Sequence, residues 1–247
     1  MSLETLRPIL FLCLFILLFI LERVAPNYQH RPTLGYSFNL LFLFLSFGFM
    51  RLVFPMGLAV LASKLPFQDW YLSQFDFIPQ VIITLIVFDF GIYWQHRFFH
   101  TFNWLWKFHA IHHSDQTLDV SSGFRFHPGE IILSGGYKLL LILILGPSVE
   151  AFLIYEMALS SFSLFTHSNL KIPSSLERWL RLIFVTPQMH YPHHSPQDAM
   201  IRTNYGNLLS IWDRLFQTLN HQPNHQFGLK SLDGENLKKN LIYPFTR

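Results

Sequence analysis

The stretch IPQVIITLIVFDFGIYWQHRFFH, residues Ile78 to His100, decides how this chain folds. Its first part, to about Tyr93, is predominantly apolar and leads directly into two histidines. On a helix that continues through it, spacings of four, three and four residues place one set of side chains on a single face: Asp89, Tyr93, His96 and His100. The stretch therefore predicts a membrane-embedded helix that ends in a histidine pair able to bind one metal ion.

The composition agrees with a membrane protein. Of the 247 residues, 51% are hydrophobic and only 13% are charged, whereas a soluble domain carries about 25% charged residues. The net charge is +3, and no run of Lys and Arg is of the kind that binds nucleic acid. The single cysteine, Cys13, excludes a disulfide framework or a Cys-based zinc site within the chain.

Four further apolar stretches are candidates for membrane helices: Leu6–Leu21, Tyr36–Ala62, Ile131–Leu145 and Val149–Thr166. The first is expected to be an uncleaved anchor, because no small-residue cleavage site follows it. Pro55 is expected to kink the second, which Arg51 also interrupts. The last two, on either side of Gly146-Pro147, predict a helical hairpin that enters and leaves at one face. Leu176–Val185 predicts a helix on the membrane surface.

Eight histidines fall into three clusters along the chain. They are His96 and His100, then His109, His112 and His113, then His190, His193 and His194. Imidazole is the commonest protein ligand for transition metals, and eight rings exceed what one ion binds, so a dinuclear site is predicted. On a helix His112 and His113 point about 100° apart, which suits two different ions. Pro192 predicts that the third cluster opens a helix.

The apolar stretches can bring the three clusters together. Two crossings separate His113 from His190 and so return the chain to the same side. Three crossings precede His96, which places the N-terminus on the opposite side. The side with the clusters carries an excess of basic residues, which marks it as cytoplasmic: Arg23, Arg31, Arg97, Lys107, Lys171, Arg178, Arg181 and Arg202, together with His30.

Five isolated histidines need separate interpretation. His167 ends an apolar stretch at the level of the clusters, where a ligand is favoured over a residue that binds free helix carbonyls. His127 precedes Pro128 and is left open between ligand, partner of a ligand and loop residue. His30, His221 and His225 lie among polar residues and receive no role. Spacing alone does not choose among zinc, copper, iron and nickel.

Three functions remain open on these residues. The first, a membrane oxygenase that acts on a lipid, is implied by a family resemblance and not by the spacing of the histidines. The second is a membrane hydrolase in which two zinc ions activate water, although the clusters lack carboxylates. The third is a metal transporter or sensor, which is disfavoured because most of the histidines follow the spans and do not lie within them.

Six motifs in consistent order resemble the fatty acid hydroxylase superfamily, also labelled the sterol desaturase family. They are DFGIYWQHRFFH, LWKFHAIHH, FRFHPGE, FTHSNL, TPQMHYPHH and NYGNLLSIWDRLF, which together cover roughly Asp89 to Thr218. The resemblance implies an all-α, multi-span membrane protein with a cytoplasmic, histidine-rich helical cap. It implies one domain over 1–247, with N-terminal membrane helices in 1–77 and a catalytic region in 78–220.

The same resemblance implies a chemistry and a set of site residues. Two iron ions would be bound by the eight clustered histidines, with His167 as a ninth ligand and His127 as an open tenth. Partners would be a lipid substrate, dioxygen and an external electron donor, which would be cytochrome b5-like, a ferredoxin or a reductase. The reaction would be hydroxylation or desaturation of a sterol, fatty acyl or related lipid. Residues expected to support the ligands are Asp89, Tyr93, Asn204 and Asp213, with Tyr205, Gly206 and Trp212 in the same late motif.

Overall fold

The computed structural model describes residues 3–29, 35–64 and 71–246, and within them the chain is helical with no β-strand. His30 and Arg31 lie outside these residues, as do residues 65–70. The α-helices are α1 (Leu3–Val24), α2 (Gly35–Val53), α3 (Leu58–Ser63), α4 (Phe77–Thr101), α5 (Asn103–His113), α6 (Pro128–Leu145), α7 (Val149–His167), α8 (Ser174–Leu180), α9 (Pro187–His190), α10 (Asp198–Ile201), α11 (Ile211–Leu215) and α12 (Leu237–Ile242). Short 3-10 helices cover Tyr71–Gln74, Val120–Phe124, Tyr191–His194 and Tyr243–Phe245. The predicted all-α fold is confirmed.

Four helices of the described residues are long and apolar enough to cross a membrane: α2, α4, α6 and α7. Helix α1 is not among these four, so its role as an anchor stays a prediction. It presents exposed apolar side chains along its length, including Ile9, Leu12 and Ile16. An ion pair joins it to α7, where Arg7 Nη2 lies 2.9 Å from Glu156 Oε2.

Helix α4 is continuous from the apolar region into the histidines, as the sequence predicts. Its 25 residues include both His96 and His100. Phe88 packs with Phe152 and Tyr155 of α7 in the apolar core. At Gly91 a Cβ atom would lie 2.7 Å from Leu141 Cδ1, so a larger residue there would require the Leu141 side chain of α6 to shift.

Helices α6 and α7 form the predicted hairpin. Gly146 ends α6 in the left-handed conformation with φ of 60°, and the Ser148 hydroxyl accepts a hydrogen bond from Ala151 N at the start of α7. The hairpin thus leaves His127 and His167 at the same end. His167 is brought back to the level of His112, which the even number of crossings requires.

Two predicted helices differ in the structure. The stretch Tyr36–Ala62 does not form one kinked helix: α2 ends at Val53, and α3 begins at Leu58 after Pro55. Pro55 cannot donate the hydrogen bond that would continue the helix, so the chain breaks. The surface helix predicted over Leu176–Val185 ends at Leu180, and Phe184 instead forms an antiparallel bridge with Leu209.

Candidate metal centre

Nine buried or half-buried imidazoles form two groups, and the ligand atoms of each group lie within 4.8 Å of one another. The five-histidine group consists of His96, His100, His109, His113 and His193. The four-histidine group consists of His112, His167, His190 and His194. His112 and His113 belong to different groups, as their angular offset on α5 predicts. The structure therefore brings together all three clusters and adds His167.

Four segments supply these rings. The last two turns of α4 and of α5 carry five of them, and the end of α7 carries His167. The third cluster does not open one helix as predicted, because α9 ends at His190 and a 3-10 helix begins at Tyr191. Pro192 lies in the first turn of that 3-10 helix, where its missing N–H is not needed. His193 and His194, adjacent on this 3-10 helix, belong to different groups.

The separations of the ring nitrogens fit metal binding. In the four-histidine group His167 Nε2 lies 2.9 Å from His112 Nε2, 3.1 Å from His194 Nε2 and 3.2 Å from His190 Nε2. Two nitrogens that bind one ion at about 2.1 Å and at right angles lie roughly 3 Å apart. In the five-histidine group the Nε2 atoms of His100 and His193 are buried without a hydrogen-bond partner. Buried polar atoms are normally satisfied, so both are suited to bind an ion.

Backbone carbonyls and one carboxylate orient five of the rings through Nδ1. His96 donates to Tyr205 O, His112 to Arg125 O, His167 to Ser163 O and His193 to Thr203 O. The fifth, His109, lies 2.7 Å from Glu130 Oε1. A proton held at Nδ1 leaves the Nε2 lone pair free for a metal ion.

Glu130 is a site residue that the sequence analysis did not identify. It lies on the first turn of α6, is buried, and its Oε2 has no hydrogen-bond partner. It is the single carboxylate that contacts a ligand imidazole among the described residues. It is the last residue of the FRFHPGE motif, three residues after His127, so the motif was the signal that could have identified it.

His127 lies outside both groups. Its Nδ1 accepts a hydrogen bond from Gly129 N at the start of α6, and its Nε2 bonds to Leu241 O. Both ring nitrogens therefore serve the local structure. His221 and His225 are exposed and also lie outside the groups.

Asp89 and Tyr93 do not contact an imidazole directly. Asp89 accepts hydrogen bonds from Leu208 N, Leu209 N and Trp212 Nε1, at 3.2, 3.0 and 2.7 Å. The Tyr93 hydroxyl bonds to Thr218 Oγ1 at 2.8 Å. Both residues fix the segment that follows the third cluster, so their influence on the rings passes through its backbone.

Asn204 and Asp213 act on the same segment from its other side. Asn204, at a positive φ of 55°, donates through its side chain to Met189 O and Asn220 O. Asp213 accepts from Tyr205 N at 2.8 Å and Gly206 N at 2.9 Å. A Cβ atom at residue 206 would lie 2.8 Å from Asp213 Oδ2, which explains the glycine. This turn positions the carbonyls of residues 203 and 205, which orient His193 and His96.

Replacing Asp213 with Ala is expected to destabilise the protein and to weaken the five-histidine group. The change leaves two buried backbone N–H groups and the Thr218 hydroxyl without their acceptor, at about 1–3 kcal/mol for each. We expect a lower Tm in detergent and a lower metal content. The control is Asp198→Ala, at an exposed position on α10. An unchanged Tm and metal content in Asp213→Ala would contradict the positioning role.

Burial keeps the histidines of this centre neutral, which is the form that binds metal. Desolvation lowers the pKa of His109 to about 3. It also lowers the pKa of the other rings on α5 and in the third cluster well below the usual value: His112, His113, His190, His193 and His194. The neighbouring imidazoles lower the pKa of these five rings further, because positive charges on adjacent rings would repel each other.

Stability is expected to fall as the pH drops below about 6.5. The unfolded rings take up protons near their ordinary pKa of 6.5, whereas folded His109 does not until about pH 3. Over this window the unfolded state binds more protons, so each such histidine costs up to about 1.4 kcal/mol per pH unit. Thermal unfolding in detergent at pH 7.5, 6.5 and 5.5 checks this. A Tm that is constant or rises toward pH 5.5 would disprove it.

A sequence profile described as Fatty acid hydroxylase matches residues 81–218, a range that holds all nine histidines. The chain belongs to this family. This member is 32% identical to ornithine lipid hydroxylase OlsE of Rhizobium tropici over 199 residues, which cover 78% of this chain and 59% of that protein. It is 37% identical to alkylglycerol monooxygenase of Danio rerio over 130 residues, 53% of this chain and 28% of that protein.

A plant relative matches over a longer range. Very-long-chain aldehyde decarbonylase GL1-11 of Oryza sativa subsp. indica is 28% identical over 221 residues, 86% of this family member and 77% of that protein. No solved structure gave a significant match. The predicted family is thus confirmed, and none of these three relatives is a hydrolase.

Proposed function

We propose that this protein is a membrane di-iron oxygenase that uses dioxygen and reducing equivalents to hydroxylate or desaturate a lipid C–H bond. The observation that carries the proposal is the pair of histidine groups at the ends of apolar helices. The names of two relatives support it, since one is an ornithine lipid hydroxylase and another is an alkylglycerol monooxygenase. The zinc hydrolase has no support from these relatives.

The residues present fit two iron ions. The five-histidine group and the four-histidine group would each hold one ion, and His109, backed by Glu130, belongs to the first. Bound iron would supply the activation of dioxygen that attack on an unactivated C–H bond requires. His127 and the supporting residues Asp89, Tyr93, Asn204 and Asp213 are not proposed as ligands.

The protein supplies orientation and exclusion of water. Eight of the nine rings are buried, and His96 is half-buried, so an oxidising centre here is shielded from solvent. Hydrogen bonds at Nδ1 fix five of the rings before a metal binds, which lowers the cost of assembling the centre. The apolar helices α4 and α7 carry His96, His100 and His167 at their ends, which supports a centre beside the membrane, where the alkyl part of a lipid can reach it.

The remaining parts of the proposal concern location and partners. We propose an integral membrane protein with several crossings and with its metal centre on the cytoplasmic side, for which the distribution of Lys and Arg is the argument. An external donor, such as a cytochrome b5-like protein, a ferredoxin or a reductase, would supply electrons. Ornithine lipids and alkylglycerols are the first substrates to test, because relatives act on them.

Metal analysis of the purified protein, combined with measurement of oxygen uptake, tests the proposal. The assay contains a chemical reductant with redox mediators and, in separate reactions, an ornithine lipid, an alkylglycerol or a phospholipid. We expect about two iron atoms per chain and reductant-dependent oxygen uptake that rises with one lipid class. Zinc alone, without such uptake, would overturn the oxygenase proposal.

A further inference from the structure

One stripe of α4 faces away from the other helices of the bundle. Ile78, Ile82 and Ile86 follow one another at four-residue spacing and are 70, 51 and 42% exposed. Just over three turns after Ile86, and on another side of the helix, Phe98 is again exposed. Because α4 is long and apolar enough to span the membrane, exposed isoleucines at this spacing mark its lipid-facing side.

Helix α11 and the residue after it pack on α4 between the isoleucines and Phe98. The ring centroid of Trp212 lies 5.0 Å from that of Phe90, and the ring centroid of Phe216 lies 5.1 Å from that of Trp94. Phe90 precedes His96 by six residues, about 9 Å along the helix. Helix α11 therefore contacts α4 at a level deeper toward the membrane than the histidine.

A second set of contacts places the same unit at a similar depth beside α7. The rings of Phe184 and Phe162 lie 5.2 Å apart, and Asn207 Nδ2 donates to Leu159 O at 3.2 Å. Leu159 precedes His167 by eight residues, about 12 Å along the helix. The segment from α8 to α11 thus lies along the flanks of two spanning helices and does not rest only on their ends.

One part of the outward side of this segment is apolar. Six side chains, each at least half exposed, form what we term the cap face: Leu176, Trp179, Leu182, Ile183, Ile211 and Leu215. An apolar area of this kind is uncommon on a surface that meets water.

We propose that the cap face is embedded among the acyl chains of the leaflet next to the metal centre. The proposal rests on α4 being a membrane span and does not depend on which metal or reaction the centre supports. The cap face would then lie among acyl chains beside the metal centre. A lipid substrate could approach the centre from within the leaflet without entering water.

The backbone of the cap face is suited to a lipid environment. Irregular backbone tolerates immersion only where its polar groups are satisfied within the protein. After α8 the carbonyls of Arg181 and Leu182 accept from the Arg214 guanidinium, and Ser210 N donates to Ile183 O. The N–H groups of Ile183 and Phe184 donate to Leu180 O, and that of Val185 donates to Leu208 O.

The charged residues near the cap face fit the same placement. The Arg214 guanidinium is occupied by these carbonyls and by Ser210 Oγ. Arg181 Nε lies 4.0 Å from Glu177 Oε1. Arg178 is exposed, and its long side chain allows the guanidinium to reach the headgroups while the stem lies in lipid.

Spin labels at single cysteines test the immersion. In a Cys13→Ser background, which removes the only native cysteine, labels are attached at Ile183→Cys and Leu215→Cys. Ile82→Cys on the α4 stripe is the control for lipid exposure, and Glu235→Cys, at an exposed polar position, is the control for water exposure. Each variant is reconstituted in phosphatidylcholine vesicles after its metal content and Tm are matched to the parent.

Collisions with dioxygen, which concentrates in lipid, are compared with collisions with a water-soluble nickel chelate. We expect labels at 183 and 215 to resemble the label at 82, with dioxygen several-fold more effective than nickel. Labels that resemble the one at 235 would overturn the proposal. Low access to both reagents would also overturn it, because another protein surface would then cover the face. The accessibility of the labels is measured without turnover. A failed oxygenase assay would therefore not affect the conclusion about immersion.

Discussion

The variant His112→Ala is expected to purify with about half the metal of the parent and without measurable turnover, while it remains in the membrane. His112 belongs to the four-histidine group, where its Nε2 lies 2.9 Å from that of His167. Its removal leaves three rings in that group and all five in the other. The loss of one ion from a centre that needs two would abolish lipid oxidation.

The neighbouring variant His113→Ala makes the test specific. This change removes a ring from the five-histidine group and leaves the four-histidine group intact. Metal content by mass spectrometry and the electronic spectrum of each iron-loaded variant then compare the two remaining sites. The matched control is His221→Ala, whose ring is exposed and outside both groups. Full metal occupancy together with a normal rate in His112→Ala would show that the group is structural.

Glu130→Ala is expected to lower the affinity of the five-histidine group for metal by about 10–100-fold. Its carboxylate accepts from His109 Nδ1 at 2.7 Å, and no other ligand ring of the described residues has an anionic partner. Without it, the His109 ring can rotate or can carry its proton on Nε2, the atom that faces His96 and His113. Competition with a chelator measures the affinity.

Glu130→Gln separates orientation from charge. The amide oxygen can still accept from Nδ1, so this variant should recover most of the metal affinity lost in Glu130→Ala while it lowers the basicity of the imidazole. Glu150→Ala, which removes an exposed carboxylate at the opposite end of the α6–α7 hairpin, is the control. Equal losses in Glu130→Ala and Glu130→Gln would show that the charge, not the orientation, matters. If Glu130→Ala binds metal with the affinity of the parent, neither the orientation nor the charge of Glu130 contributes to metal binding.

Local periodicity was sufficient to predict the main helices and the separation of two adjacent histidines. The apolar run into His96 predicted α4, and the 100° step between adjacent residues predicted that His112 and His113 could serve two different ions; they lie in different histidine groups. The count of crossings placed His167 at the level of the clusters, and it lies in the four-histidine group. That these rings bind metal stays a prediction. Each placement depends on the geometry of a single helix or on which end of it a residue occupies.

The partners of the ligands could not be predicted in the same way. Glu130 reaches His109 only because α6 packs beside α5, and sequence spacing does not report that approach. Asp89 was expected to accept from an imidazole, but it binds three N–H groups of residues 208, 209 and 212. A buried carboxylate on a helix face needs hydrogen-bond donors, and only the tertiary fold decides which N–H groups supply them.

The distribution of the ligands over four segments also constrains the order in which the protein can be made. The four-histidine group needs His112, His167 and His194, and the α6–α7 hairpin separates the first two along the chain. A ribosome that has released α5 has exposed four of the five rings of one group but only His112 of the other. Stable capture of both proposed ions would therefore wait until the hairpin has been inserted and the segment through residue 194 has emerged. A chain stalled before that point carries a four-histidine group with a single ring.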